Sequence, residues 1–261
     1  MHGSDRIFGH GDRLDGGPPD GRPGGTPAPA SGALRSLRES AAWVFDLDNT
    51  LYSARFDLFD QIDVRMRTYI AAFLGVPVDD AHRLQKQYFT EFGMSLSGLM
   101  RLHRMDPKPF LERVHDIDLS VLPPCPELDA ALADLPGRKI IYTNASTRHA
   151  ERVIERLGVA HHIDAVFDIV EANYQPKPEP AAYDMMVKRH GLDPRTTVMV
   201  EDMARNLMPA ALLGMTTVWV RTESAFGCAG RDAVRIDYEV EDLVAWLRQV
   251  AGGGPKPTAD L

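Results

Sequence analysis

The sequence predicts an α/β fold, a doubly wound parallel sheet with an all-helical domain inserted after its first strand. Three observations carry that prediction. From Glu127 to Val250 short apolar stretches alternate with helical segments, the order that builds a parallel sheet covered on both faces. Between Phe56 and His115 no period-2 pattern occurs, and apolar residues recur three and four apart. Ahead of that block stands an isolated apolar run, Ala42 to Phe45, that reads as a buried strand and ends in two carboxylates, Asp46 and Asp48.

Taken in order, Phe56, Phe59, Ile62, Val64, Met66, Tyr69, Ile70 and Phe73, mostly three and four apart, mark an amphipathic helix closed by Gly75 and Pro77. Asp79 and Asp80 are expected to cap a second helix that runs to Phe92 and stops at Gly93. Shorter helices follow over Leu96 to Arg104 and Pro107 to Val114. The sheet resumes with helix Glu127 to Asp134, strand Lys139 to Tyr142, helix Arg148 to Leu157 and strand Ala165 to Val170. Helix Ala181 to His190, strand Thr197 to Val200, helix Asn206 to Leu213 and strand Thr216 to Val220 continue the alternation. Strand Tyr238 to Val240 and helix Leu243 to Val250 complete a Rossmann-like order. The expected division is a Gly/Pro-rich tail over 1–38, an α/β core over 39–54 and 119–250, a helical cap over 55–118, and a second tail over 251–261.

A formal net charge of −8 argues against a nucleic-acid polymer as partner, because phosphate chains need a basic face. Small phosphorylated molecules are compatible with it. No apolar run reaches transmembrane length, and residues 1–38 have no apolar core of a signal peptide, so a cytoplasmic protein without membrane contact is expected. Cys125 and Cys228 make no metal spacing and read as free thiols.

Asp46 and Asp48 stand at i and i+2, which lets both face the same way at the end of a strand. Two like charges ~4 Å apart repel by about 4 kcal/mol at an effective dielectric near 20, so the pair calls for a hard cation such as Mg²⁺ or a shared proton. The alternative is a capping turn, with Asp48 or Asn49 at the start of a helix near Thr50. The rest of the chain decides between them. Two further strands end in reactive residues, Thr143-Asn144 and Glu201-Asp202, and Lys177 sits in a loop stiffened by Pro176 and Pro178. In a parallel sheet all these strand ends share one edge. Acids for a nucleophile and metal, a hydroxyl and amide for phosphate oxygens, and a lysine for developing charge are what phosphoryl transfer requires.

With these four clusters in this order, the chain resembles the haloacid dehalogenase (HAD) superfamily of Mg²⁺-dependent phosphotransferases over residues 41–250. The resemblance implies that Asp46 is the nucleophile and that Asp48 protonates the leaving oxygen and then activates water. It further implies that Thr143 and the Asn144 backbone bind phosphoryl oxygens beside Lys177. Mg²⁺ would be held by the Asp46 carboxylate, the Asp48 carbonyl and Asp202, with Glu201 in or next to that set, and Asn206 would support the lysine. Asn49 and Tyr52 are expected to contact substrate. Met203 stands where related sequences often carry Ser. Dehalogenases of the superfamily have no use for an acid at the position of Asp48, which favours a phosphatase.

The helical block occupies the place of the superfamily's C1 cap and implies a small enclosed substrate. Phe59-Asp60-Gln61-Ile62, Tyr69-Ile70, Val114-His115-Asp116-Ile117-Asp118 and Tyr52 resemble the pyrimidine 5′-nucleotidase branch. The expected activity is therefore hydrolysis of a nucleoside 5′-monophosphate, with a sugar-phosphate phosphatase, a phosphomutase or a non-catalytic binding protein as alternatives. Met94, Ser95, Arg101 and His103 are cap residues placed to touch a nucleoside, although a solvated face or cap core accounts for each. His161-His162 reads as a solvated turn whose rings point apart, Asp116 and Asp118 as the return from the cap, the charges of Arg148 to Arg156 as an exposed helix face, and Trp219 as sheet core.

Overall fold

The computed structural model describes residues 37–252. The apolar run forms β1 (Ala42–Phe45), every residue of which is buried, and it lies in the middle of the sheet. It pairs in parallel with β2 (Arg138–Tyr142) on one side and β4 (Thr197–Glu201) on the other. With β3 (Ala165–Phe167), β5 (Thr216–Val220) and β6 (Tyr238–Val240) the described strands run β3-β2-β1-β4-β5-β6, all parallel. Burial on both faces explains why β1 reads as a continuous apolar run without alternation. The chain order reverses between β1 and β4, so the crevice at their C-terminal ends is where such a sheet receives a ligand.

Side chains alternate across β1. Trp43 and Phe45 enter a core with α5 (Pro126–Ala133), α6 (Thr147–Leu157) and α10 (Leu243–Ala251), whereas Val44 packs on the other face with α7 (Pro180–His190) and α8 (Ala204–Leu213). Between β1 and β2 the chain builds the expected cap from α1 (Leu58–Leu74), α2 (Val78–Phe92), α3 (Ser95–His103) and α4 (Pro107–Val114). The cap has its own core of Ile70, Ala81, Tyr88, Leu96, Leu99 and Phe110, into which Ile169 reaches from the loop after β3. Gly98 lets α3 lie against α2, since a Cβ there would fall 2.5 Å from Cγ of Tyr88. A short helix, α9 (Ala225–Cys228), follows β5.

Several boundaries differ from expectation for identifiable reasons. No helix starts at Thr50: residues 47–51 form a turn, and α1 begins at Leu58, so neither Asn49 nor Thr50 is a helix cap. Asp79 and Asp80 lie in the first turn of α2, where they favour the positive end of the helix, and Pro77 occupies the cap position. β3 ends at Phe167 because the Asp168 carboxylate takes the backbone N–H groups of Thr147, Val170 and Glu171 and turns the chain. The rings of His161 and His162 do not point apart. Both Nε2 atoms reach Oδ1 of Asp129, at 3.1 and 2.9 Å, from a short 3-10 turn. Arg152 and Arg156 are likewise engaged, donating to the carbonyls of His115, Ile117, Leu119 and Ser120 on the return from the cap. Trp219 is core, and Cys125 and Cys228 are free. No helix among the described residues is long and apolar enough to cross a membrane.

The expected tails over 1–36 and 253–261 lie outside the described residues. Leu37 and Arg38, counted with the tail, are packed: Leu37 is 3% exposed in the core, and Arg38 Nε donates to the Val250 carbonyl at 2.6 Å. Leu37→Ala should therefore lower stability by about 2–3 kcal/mol in urea denaturation. A loss below about 0.5 kcal/mol, the level of an ordinary surface change, would show that this segment is not part of the packed body.

Candidate active site

The strand ends deliver their polar residues to one place. Asp46 continues β1 by one residue, its N–H donating to the Val200 carbonyl at 2.9 Å. Its side chain is buried between two donors: Lys177 Nζ reaches Oδ1 at 2.6 Å and Thr50 Oγ1 reaches Oδ2 at 2.8 Å. The turn over residues 47–51 exists to bring Thr50 back over Asp46. Lys177 is 1% exposed and spends all three ammonium protons, on Asp46, on Glu201 Oε2 at 2.6 Å and on the Tyr142 carbonyl at 3.0 Å. Its loop is fixed by Asn144, whose Oδ1 accepts the Lys177 N–H at 2.8 Å. Asn206, expected to support the lysine, makes no side-chain bond to it. Its Oδ1 has no partner among the described residues, and its carbonyl accepts from the Tyr183 hydroxyl.

Glu201 and Asp202 close the site from β4. Glu201 is 1% exposed and also accepts the Met203 N–H, while the Asp202 carbonyl accepts Trp219 Nε1 at 2.8 Å. Thr143 is buried at the end of β2, and its Oγ1 accepts the Ala145 N–H at 3.0 Å. Burial pushes the Asp46 carboxyl up, Glu201 adds to it, and Lys177 pulls back, leaving it raised to about 7. Burial and then the charges of Glu201 and Asp46 raise Asp202 as well. Burial works against the Lys177 ammonium, but Asp46 and Glu201 outweigh it and hold it charged.

Asp48 has separate company. It sits on the turn after β1, and its side chain takes none of the hydrogen-bond partners of Asp46. Tyr52 OH and His149 Nε2 both bond Asp48 Oδ1, at 2.6 and 2.8 Å. Burial alone would raise Asp48, but the charge of His149 and the hydrogen bonds from His149 and Tyr52 outweigh it and hold the carboxyl at about 2. The His149 ring is stacked on that of His115, with centroids 4.8 Å apart. Burial, and then the neighbouring His149, lower His115 to about 3.

A sequence pattern described as haloacid dehalogenase-like hydrolase matches residues 41–214, from the start of β1 past Glu201 and Asp202. The chain belongs to the haloacid dehalogenase-like hydrolase family. Phosphate metabolism protein 8 of Saccharomyces cerevisiae is 26% identical over 187 residues, or 66% of this chain and 58% of that protein, so the chain spans under two thirds of that relative's length. Among solved structures, a HAD phosphatase from Thermococcus onnurineus aligns over 81% of this chain and 98% of its own, with a TM-score of 0.55 and 22% identity. An L-2-haloacid dehalogenase from Xanthobacter autotrophicus aligns over 82% of this chain and 100% of its own, at a TM-score of 0.53 and 18% identity. These structural likenesses concern the fold.

A divalent cation fits this HAD-like site. One oxygen each from Asp46, Glu201 and Asp202 lies within 4.8 Å of the others, and all three residues are buried. Three carboxylates face one ammonium, and hard oxygen donors with excess negative charge suit Mg²⁺. Asp46 and Asp202 are raised by burial first and then by the charge of Glu201, and a cation would offset both. A cavity of about 660 Å³ opens above them, lined on the core side by Asp46, Asp48, Asn49, Thr143, Asn144 and Lys177. On the cap side Met94 and Ser95 line it. Tyr52, Arg101 and His103 do not: Tyr52 is turned to Asp48, Arg101 lies over the Phe92 ring, and His103 bonds the Tyr88 hydroxyl at 2.7 Å.

Three contacts were not anticipated from the chain: Thr50 on Asp46, the Asn144 side chain on the Lys177 loop, and His149 on Asp48. For His149 a signal existed. It falls on the apolar stripe of α6 with Val153 and Leu157, where a polar ring needs a partner.

The metal expectation yields a pH test. Because Asp46 is raised in the folded state to about 7 from an ordinary 3.8, the folded protein binds more protons than the unfolded chain between those values, and this group's contribution makes metal-free protein less stable as pH rises through that window. Mg²⁺ competes with that proton. It should stabilise by about 2.7 kcal/mol at a concentration 100 times its dissociation constant at pH 8, and clearly less at pH 5.5 at the same concentration. Thermal melts in EDTA and Mg²⁺ at both pH values check this, and equal shifts would speak against the acidic cluster as the metal site.

Proposed function

We propose that the protein is a Mg²⁺-dependent phosphomonoesterase that hydrolyses a nucleoside 5′-monophosphate, a pyrimidine one by preference, through an aspartyl-phosphate on Asp46, in the cytoplasm. The observation that carries the reading is Asp46 itself. Among the described residues it is the one carboxylate that lies at the end of the central strand, is oriented on both oxygens by Lys177 and Thr50, and opens on the cavity.

In the first step an Asp46 oxygen attacks phosphorus as the ester P–O bond breaks, and Asp48 gives its proton to the departing oxygen. A phosphate dianion beside Asp48 raises its affinity for that proton by like-charge proximity. In the second step Asp48 takes a proton from water, which attacks the phosphorus of the aspartyl-phosphate and restores Asp46. Thr143 and the backbone after β2 hold the phosphoryl oxygens, and Lys177 aims the nucleophile and favours its ionised form against burial and Glu201. Held by Asp46, Asp202 and the Asp48 carbonyl beside Glu201, Mg²⁺ would neutralise charge on the phosphoryl oxygens.

An acid at Asp48, placed with its own hydrogen bonds, supports an ester substrate over a halide, whose departure needs no proton. The size of the cavity falls in the range that encloses a small molecule. Its wall includes Phe89 and Phe226, packed edge to face with centroids 5.5 Å apart, beside Phe59 and Met94, a lining suited to a flat base. The kinship with a protein named for phosphate metabolism points the same way.

Asp46→Asn should abolish phosphate release while leaving the circular dichroism spectrum unchanged; near-wild-type turnover would end the nucleophile assignment. Across a panel of nucleotides and sugar phosphates, kcat/KM should favour a pyrimidine nucleoside monophosphate by about tenfold or more, the discrimination a shaped pocket supplies. A sugar phosphate at the top of that ranking would overturn the substrate class.

A further inference from the structure

The two oxygens of Asp48 are treated unequally. Oδ1 receives both the Tyr52 hydroxyl at 2.6 Å and His149 Nε2 at 2.8 Å, whereas Oδ2 receives no hydrogen bond among the described residues, and Asp48 lines the cavity. A carboxylate turns readily about its last torsion. Two converging donors remove that freedom and leave one oxygen facing the substrate space. His149 is fully buried, and among the described residues its one side-chain hydrogen bond goes to Asp48 while its Nδ1 has no partner. A histidine kept in an apolar stripe with one nitrogen unsatisfied costs stability. That cost points to a role at Asp48 beyond packing. The cap reaches this ring too, because His115, which closes α4, stacks on it with an interplanar angle of 25° and bonds Ser146 Oγ at 3.2 Å.

We propose that His149, together with Tyr52, is a positioning residue: the pair pins Oδ1 of Asp48 so that Oδ2 meets the leaving oxygen, and the cap's His115 seats the His149 ring. The inference rests on the phosphomonoesterase reading and deepens it. In the phosphorylation step the bond from Asp46 to phosphorus forms, the ester P–O bond breaks, and the proton on Oδ2 passes to the ester oxygen, which departs as an alcohol. The hydrogen bonds at Oδ1 are unchanged throughout.

The test is the dependence of kcat/KM on the leaving group, because kcat/KM reports the phosphorylation step alone. An alkyl phosphate needs the proton; p-nitrophenyl phosphate does not. For His149→Met and for Tyr52→Phe, kcat/KM on the alkyl ester should fall by about 10- to 100-fold, a part of what general acid catalysis supplies, and on the nitrophenyl ester by less than about threefold. His149→Gln, which keeps an amide donor near the place of Nε2, should recover part of the loss. If His149→Met fails to fold in a thermal melt, Tyr52→Phe, which removes a single oxygen, decides the matter. Equal losses on both esters, or no loss on either, overturn the proposal and leave the phosphatase reading standing. Wild-type protein that cleaves no ester of the series overturns both.

Discussion

Three strand ends meet on one ammonium group. Lys177 binds Asp46 at the end of β1, the Tyr142 carbonyl at the end of β2 and Glu201 at the end of β4, all of them buried. Removing these charges from solvent is expensive, and only their mutual attraction and complete hydrogen bonding make the arrangement tolerable. Such a cluster is therefore weak evidence for stability and strong evidence for function. It accounts for the loop before α7, for the Asn144 side chain that ties that loop to β2, and for the residual negative charge that a divalent cation would balance. With Lys177 a neutral residue, Asp46 would face Glu201 without any counter-charge.

The sheet was legible in the chain because each of its elements depends on local pattern. Continuous apolar runs marked strands buried on both faces, and three-to-four spacing marked helices covering them. The cap was legible as a block with the helical period alone. Strand ends carrying chemistry could be paired across long sequence distances because a parallel sheet brings all of them to one edge. Partnerships that depend on side-chain direction were not readable in this way. His149 lies 101 residues from Asp48 on a helix whose charged residues drew attention to its other face. Thr50 stood where a helix was expected to begin, whereas here a tight turn folds it back on Asp46. Asp129 with His161 and His162 shows the same limit, since a 3-10 turn directs neighbouring rings differently from an α-helix.

The site divides between general and particular parts. Asp46, Glu201 and Asp202 stand at strand ends, with Lys177 in the loop before α7, and under the proposed reading they would serve any ester small enough to arrive. Asp48 stands at the boundary, on a turn just past β1, with donors from that turn and from α6. The cap supplies apolar and aromatic walls, and what can be flat and enclosed among them is decided by residues that took no part in identifying the reaction. Under that reading specificity and chemistry rest on different segments, which lets one change without disturbing the other.

The two segments joining cap to sheet are mechanically unlike. The return from the cap, His115 to Ser120, is held by four guanidinium hydrogen bonds from Arg152 and Arg156, and its Asp118 exchanges a reciprocal pair of bonds with Gln61 of α1. The outgoing segment, between Leu51 and α1, has no comparable clamp among the described residues and contains Asp57 with a left-handed backbone. A cap hung in this way is a door with one fixed and one yielding hinge. The return, which carries the fixed hinge, also carries His115, so the segment that anchors the cap is the one that seats the ring beside the acid.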